Sequence, residues 1–400
     1  TLFTSAFSQG IWTVPSHASI FTGLYPSEHN LYDEHAVSAG DVSLGDHPTL
    51  GQRLRDHGYE TSAFYRLGWL SGAGILRGFK SETNNRSSGE KEFINSLDSI
   101  LSNIPIGRAF ARAIYRGSFA GHMPDKKIVT RAADAINSAS SPFCFFVHLN
   151  DAHWPYSPSR PFHSQFSDRS ILSLFWNRAY TQTQLFPLQS DVSTLSKTQV
   201  DVMKELYLGA VRQVDHHLMS LINKIPDDTL DETIIIIFGD HGEAFGENDE
   251  LGHNAPIPEV THIPLLIRDP TGSLPVGSVD DAVQLADIYQ TVGSLAGISL
   301  PDTNTRDLTA YDPARPAFTH AEQNNNTDIL CGKYAVWKSH RDYIIWDAVH
   351  DTTYKRGDIS GLREPLDNHL DRLDPVSPTS ASALTDDTKQ QLSELGYLTE

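Results

Sequence analysis

Two short apolar runs, each ending abruptly in a polar cluster, constrain this chain most. Phe143-Cys-Phe-Phe-Val-His-Leu149 leads into Asn150-Asp151-Ala152-His153, and Thr233-Ile-Ile-Ile-Ile-Phe238 leads into Gly239-Asp240-His241-Gly242. Continuous apolar runs of this length suit strands buried on both faces, the condition of a strand inside a helix-covered parallel sheet. Between them, residues 198–224 repeat apolar side chains at helical spacing (Met203, Leu206, Ala210, Val214, Leu218, Leu221), and residues 281–296 read as helix too. Strands alternating with helices predict an α/β fold with a doubly wound, mostly parallel sheet flanked by helices. In such a sheet ligands gather outside the carboxyl ends of the strands, where both polar clusters fall.

The texture changes after Pro301. Turn residues give way to Tyr334-Ala-Val-Trp337 and Asp342-Tyr-Ile-Ile-Trp346, two β-rich runs that predict a hairpin. The expected division is a catalytic domain over residues 1–310 and a small antiparallel α+β subdomain over 311–400, closing with a helix near 385–395. Residues 160–196, rich in Ser, Gln and aromatics, read as an insertion near the functional edge of the sheet.

Composition removes several classes of function. A net charge of −19 argues against nucleic-acid binding, which needs a basic surface to displace counterions. Lysine is scarce (11, against 20 Arg) and aspartate abundant, a bias resembling proteins of high-salt cytoplasm and favouring a cytoplasmic location. The chain starts at Thr1, so a leader upstream would lie outside these residues. No apolar run reaches the roughly 18 residues of a membrane span. Cys144 and Cys331 imply no disulfide framework.

Three clusters carry chemistry. In Thr13-Val-Pro-Ser-His17-Ala-Ser-Ile-Phe-Thr-Gly23, Pro near the start and Gly at the end bracket a short helix, with Thr13 at the positive N-terminus where an anion is favoured. The plainer reading is that Thr13 only caps this helix. Asp240-His241-Gly242, at a strand end, offers a carboxylate and an imidazole to one divalent cation, which would lower the pKa of a nearby hydroxyl. A simple strand-end turn explains the same residues. His153, followed by Pro155, and His253, after the acidic loop Glu247-Asn-Asp-Glu250, each stand on loops where an imidazole protonates a leaving oxygen, binds an oxyanion, or is merely solvated.

Taken in order, these segments resemble the sulfatase family of the alkaline-phosphatase superfamily. Thr13-Val-Pro-Ser-His17-Ala-Ser-Ile-Phe-Thr-Gly-Leu-Tyr-Pro26 is similar to the sulfatase signature, a nucleophile followed by x-Pro-Ser-Arg and a helix ending in Thr-Gly-x-Tyr-Pro. Gly58-Tyr-Glu-Thr61 with Arg66 resembles the second signature, in which a Lys follows Gly-Tyr-x-Thr. His153-Trp-Pro-Tyr156 resembles the substrate-side His segment, Asp240-His241-Gly242 the metal segment, and Leu395-Gly-Tyr-Leu398 the family's ending. The resemblance implies an alkaline-phosphatase-like fold and metal-dependent hydrolysis of sulfate or phosphate-type esters. Thr13 would be the nucleophile and a metal ligand beside Asp240 and His241. His17, Arg66 and His253 would bind the substrate oxyanion, and His153 would protonate the leaving group. One divalent cation is implied, Ca²⁺ foremost, with Mn²⁺, Mg²⁺ and Zn²⁺ as alternatives. The phosphatase-type Asp-x-x-x-His pair for a second metal does not precede Asp240; Asp249 and His253 have that spacing but follow it. The partner implied is a small anionic ester, with sulfated or phosphorylated glycans among the choices.

Two departures modify these expectations. Sulfatases proper convert a Cys or Ser to formylglycine, and Thr13 is neither, so it would act directly; His17 stands where the family has Arg. Phosphodiester and phosphonate ester hydrolysis therefore stand as alternatives, and so does a non-catalytic anion- or glycan-binding descendant. The family also begins with a strand bearing one or two Asp ligands well upstream of the nucleophile, whereas no acidic residue precedes Thr13 here. The expectation is an N-terminally incomplete version of a longer protein, lacking that central strand, whose present residues alone hold metal poorly.

Overall fold

The computed structural model describes residues 1–33, 36–37, 40, 42–66, 68–83, 124–140, 142–154, 156–170, 172–174, 192–310, 315–322 and 332–372. In chain order the strands are β1 (Leu2–Phe7), β2 (Glu60–Tyr65), β3 (Lys80–Thr83), β4 (Phe143–Val147), β5 (Ile235–Phe238), β6 (Ala244–Phe245), β7 (Leu251–Gly252), β8 (His262–Arg268), β9 (Ser278–Gln284), β10 (Ala317–Glu322), β11 (Gly332–Trp337), β12 (Tyr343–Asp347) and β13 (Thr352–Arg356). The helices that matter here are α1 (Thr13–Thr22), α2 (Pro26–His29), α3 (Leu50–Asp56), α4 (Pro124–Ser138), α5 (Lys197–Ile222), α6 (Asp287–Ala296) and α7 (Arg363–Leu370). Two units emerge: one of Thr1–Thr61, Gly68–Phe79 and Asp227–Glu400, the other of Ser62–Leu67 and Lys80–Pro226.

The first unit is built on a sheet in the order β5-β8-β1-β9. β1 runs parallel to β9, and β8 runs antiparallel to both β1 and β5, so three of the four strands point one way. β8 alternates, with Ile263, Leu265 and Ile267 buried and Arg268 turned out. Those three side chains join Phe3, Ala6, Val283 and Ile288 in one core, where each Phe, Val, Leu or Ile contributes about 1.5–3 kcal/mol by its burial. A separate antiparallel sheet, β10-β11-β12-β13, contains the hairpin expected from its two β-rich runs, with Tyr334 opposite Trp346 and Trp337 opposite Tyr343.

The second unit holds the sheet β3-β2-β4, with β2 parallel to β3 and the His148 amide bonded to the Phe64 carbonyl. α5 starts with a capping box, in which Ser196 and Gln199 exchange side chain and backbone contacts, close to the predicted helix start. No helix among the described residues is long and apolar enough to cross a membrane.

Two expectations meet a different structure. Residues 281–284, read as helix, belong to β9, where Ala282, Val283 and Gln284 pair with Ser5, Ala6 and Phe7. Helix begins only at Asp287, whose carboxylate accepts the Gln284 amide at 2.9 Å; pairing with β1 overrides local periodicity. The apolar runs of β4 and β5, expected to be buried on both faces, are half-buried throughout, because each strand stands at the outer end of its sheet among the described residues. α7, which packs Leu366 against the antiparallel sheet, was not foreseen. Pro155, residues 175–191 of the expected insertion, the expected helix at 385–395 and the Leu395–Leu398 ending lie outside the described residues.

Candidate active site

The first unit gathers most of the residues singled out in the sequence. α1 begins at Thr13 and ends where Gly23 adopts the left-handed conformation (φ 71°), its amide bonded to the Ser19 carbonyl. The residue before the helix is Trp12, extended and without a side-chain cap. Thr13 therefore does not serve as the cap. Its hydroxyl, 3% exposed at the residue level, lies 3.4 Å from His241 Nε2 instead. The first amides of a helix have no partner within it, so the field at Thr13 favours negative charge.

β5 delivers the opposing residues. Gly239 bonds back to Pro264, and the Gly242 amide donates to the Val260 carbonyl at 2.6 Å, so the Asp240-His241 turn is pinned against the segment leading into β8. His241 donates its Nδ1 proton to the Gly242 carbonyl at 2.9 Å, which leaves Nε2 as the ring's basic nitrogen toward Thr13. Asp240 Oδ2 is 3.7 Å from His241 Nε2 and 3.6 Å from His17 Nδ1. One carboxylate oxygen, one imidazole nitrogen and one hydroxyl thus converge, donors of the kind that share a cation.

His17, one turn after Thr13, is buried and hands its Nδ1 proton to the Thr13 carbonyl at 2.8 Å. Burial lowers its pKa below the ordinary imidazole value of 6.5, and the Asp240 carboxylate pulls the other way without offsetting that. A neutral ring brings dipoles rather than the full charge of the arginine found in the family pattern. His253 donates from Nδ1 to Glu243 Oε1 at 3.1 Å, and its ring centroid lies 4.4 Å from that of His241. Glu243, only 5% exposed, went unnoticed in the sequence; its place directly behind Asp240-His241-Gly242 was the available signal.

His153 and Arg66 belong to the second unit. His153 follows β4 in a turn closed by its amide on the Asn150 carbonyl at 3.1 Å, and its Nδ1 donates to the Trp154 carbonyl at 2.6 Å. The Arg66 guanidinium acts on a buried carboxyl, Asp125, in the first turn of α4. Burial, reinforced by the Asp151 carboxylate, pushes Asp125 up to about 7, and Arg66 opposes this. Asp125 was also missed: residues 124–138 carry their helical signal in an amphipathic pattern that says nothing of which polar side chain faces inward.

The sulfatase family model matches residues 1–298. An uncharacterized sulfatase of Escherichia coli K12, YidJ, is 23% identical over 335 residues, covering 75% of this chain and 61% of that protein, so the chain spans somewhat less than two thirds of that relative's length. Among solved structures, the phosphonate monoester hydrolase of Agrobacterium radiobacter is similar with a TM-score of 0.64 at 18% identity, over 88% of this chain and 81% of that one. BT4656, solved with its substrate D-glucosamine-2-N,6-O-disulfate, is similar with a TM-score of 0.62 at 16% identity, over 98% of this chain and 90% of that one. These structural likenesses bear on the fold.

Proposed function

This chain belongs to the sulfatase family, and from that premise we propose that it hydrolyses sulfate or phosphate-type esters with Thr13 as nucleophile. The observation that carries the reading is the Thr13 hydroxyl at a helix N-terminus, 3.4 Å from His241 Nε2, with Asp240 alongside. Asp240, His241 and Thr13 would hold a divalent cation, and they fit one side of its coordination shell, since a hard cation takes about six ligands. When bound, that cation supplies the positive charge that makes a hydroxyl nucleophilic at neutral pH.

The chain's own residues carry the remaining work. Thr13 Oγ, its proton given up to solvent, attacks sulfur or phosphorus; the new ester bond forms as the bond to the leaving oxygen breaks, and water then attacks the same sulfur or phosphorus, breaking its bond to Thr13 Oγ, releasing the sulfate, phosphate or phosphonate and returning the hydroxyl. The α1 terminus and His253, oriented by Glu243, face the negative charge that develops. The roles that the resemblance assigns to Arg66, toward the oxyanion, and His153, toward the leaving oxygen, belong to the same reading. Because Thr13 excludes formylglycine, phosphonate and phosphate esters stand beside sulfates as substrates, with sulfated or phosphorylated glycans a natural source. Ca²⁺ is the cation the resemblance favours, yet an imidazole donor is at home on Mn²⁺ or Zn²⁺ as well.

The test is turnover of nitrophenyl sulfate, nitrophenyl phosphate and a nitrophenyl phosphonate by the full-length protein with each of Ca²⁺, Mg²⁺, Mn²⁺ and Zn²⁺. Thr13→Ala should lower kcat by at least about 10³-fold on whichever ester is turned over. Equal activity in Thr13→Ala would remove Thr13 from the mechanism. Anion binding without turnover under every metal would instead mark a non-catalytic binder.

A further inference from the structure

The second unit contains a buried carboxyl pair with no part in the chemistry described so far. Asp125 is fully buried in the first turn of α4, and its Oδ2 accepts the backbone N–H of Asn150 and of Asp151, each at 2.7 Å. Those two amides open the turn that the His153 amide closes on the Asn150 carbonyl. The backbone that presents His153 is therefore anchored from α4 by a single oxygen.

The same turn is held from α5 through the Asp151 side chain. Gln213 Nε2 donates to Asp151 Oδ2 at 2.5 Å, His217 Nε2 is 3.4 Å from the same oxygen, and Gln213 Oε1 accepts the Ser159 amide at 2.7 Å and its hydroxyl at 2.8 Å. Among the described residues, Asp125 Oδ1 is buried with no hydrogen-bond partner. A second carboxylate close by and an unsatisfied oxygen both work against stability, and such groups concentrate where geometry is held for function.

We propose that Asp125 is a positioning residue that sets the place of His153 through the Asn150 and Asp151 amides. The proposal rests on the reading of His153 as the group that protonates the leaving oxygen. The Asp125 oxygen accepts both amides whether the carboxyl is ionised or protonated, and in the ionised form it is a charge-assisted anchor about twice as strong as a neutral one. Loss of it lets the turn relax, and a shift of about 1 Å in a proton donor costs on the order of 10²-fold in rate.

Leaving-group dependence separates this role from a merely structural one. A nitrophenolate departs without a proton, whereas an unactivated alkyl oxygen needs one. In the full-length protein, His153→Ala should lower kcat/KM for the alkyl ester about 10²-fold or more and leave the nitrophenyl ester within a few fold. Asp125→Ala should show the same selectivity, with a loss about 10- to 100-fold greater on the alkyl ester than on the nitrophenyl ester. Should that variant not fold, Asp125→Asn carries the test: its amide oxygen accepts more weakly than a carboxylate, and a loss about 3- to 10-fold greater on the alkyl ester than on the nitrophenyl ester is expected. If His153→Ala discriminates between the esters and the Asp125 variants lower both equally or neither, the positioning role is overturned. If His153→Ala itself shows no leaving-group dependence, the reading of His153 falls and takes this proposal with it.

Discussion

His29 ties the nucleophile's helix to its neighbour, and replacing it with Gln should remove a defined slope from the acid stability of the protein. The ring, 2% exposed at the end of α2, accepts the Leu31 amide at Nδ1 (3.1 Å) and donates from Nε2 to Ser19 Oγ (3.2 Å) on α1. The first bond needs the neutral ring, because a protonated Nδ1 cannot accept. Burial pushes its pKa from 6.5 down to about 3. Between those values the unfolded chain takes up a proton that the folded chain refuses, so the contribution is fully present above about pH 6.5 and declines as the pH falls toward 3. The slope is about 1.4 kcal/mol per pH unit, or about 3 kcal/mol between pH 6.5 and 4.5.

His29→Gln keeps a donor and an acceptor but cannot titrate. Urea unfolding at a series of pH values, compared as wild type minus variant, cancels the groups common to both, including His17 and His369, whose pKa values burial also lowers. At pH 7.5 the variant should be less stable by about 1–2 kcal/mol from imperfect hydrogen bonds. By pH 4.5 that difference should have shrunk or reversed by about 3 kcal/mol. A difference that stays constant across the range would refute the claim that burial holds this imidazole neutral.

Gly242→Ala should destabilise the protein by about 1–3 kcal/mol and weaken metal binding measured by titration, because a Cβ there collides with the Glu259 carbonyl and would displace the Asp240-His241 turn. Arg306→Met should cost about 3–5 kcal/mol in urea unfolding. It strands the fully buried Asp287 carboxylate, which now receives the Arg306 amide at 2.8 Å and its Nε at 3.3 Å; adding Asp287→Asn should recover part of that loss.

How much of this was legible beforehand depends on the distance over which each feature is decided. Pro15 and Gly23 bracket α1 within one short stretch, and apolar side chains at helical spacing announce α5, since caps and helical periodicity act over a turn or two. The placement of Asp240 and His241 directly after an apolar run was equally local. Residues 281–284 misled because their alternative, pairing beside β1, is set by a partner far away in the chain. The half-burial of β4 and β5 likewise reflects which strands flank them, something no residue within either strand encodes.

By itself, the sequence determined the chemical types at the site, the order of the motifs and the class of sheet that would display them. Only the tertiary structure decided that Thr13 faces His241 across a separation of 228 residues rather than capping its own helix, that His17 is buried neutral, and that Glu243 and Asp125 stand behind the two loop histidines. The reason is physical. Propensity and capping are summed over neighbouring residues, whereas burial, and with it pKa and hydrogen-bond choice, depends on what the rest of the chain packs around each group.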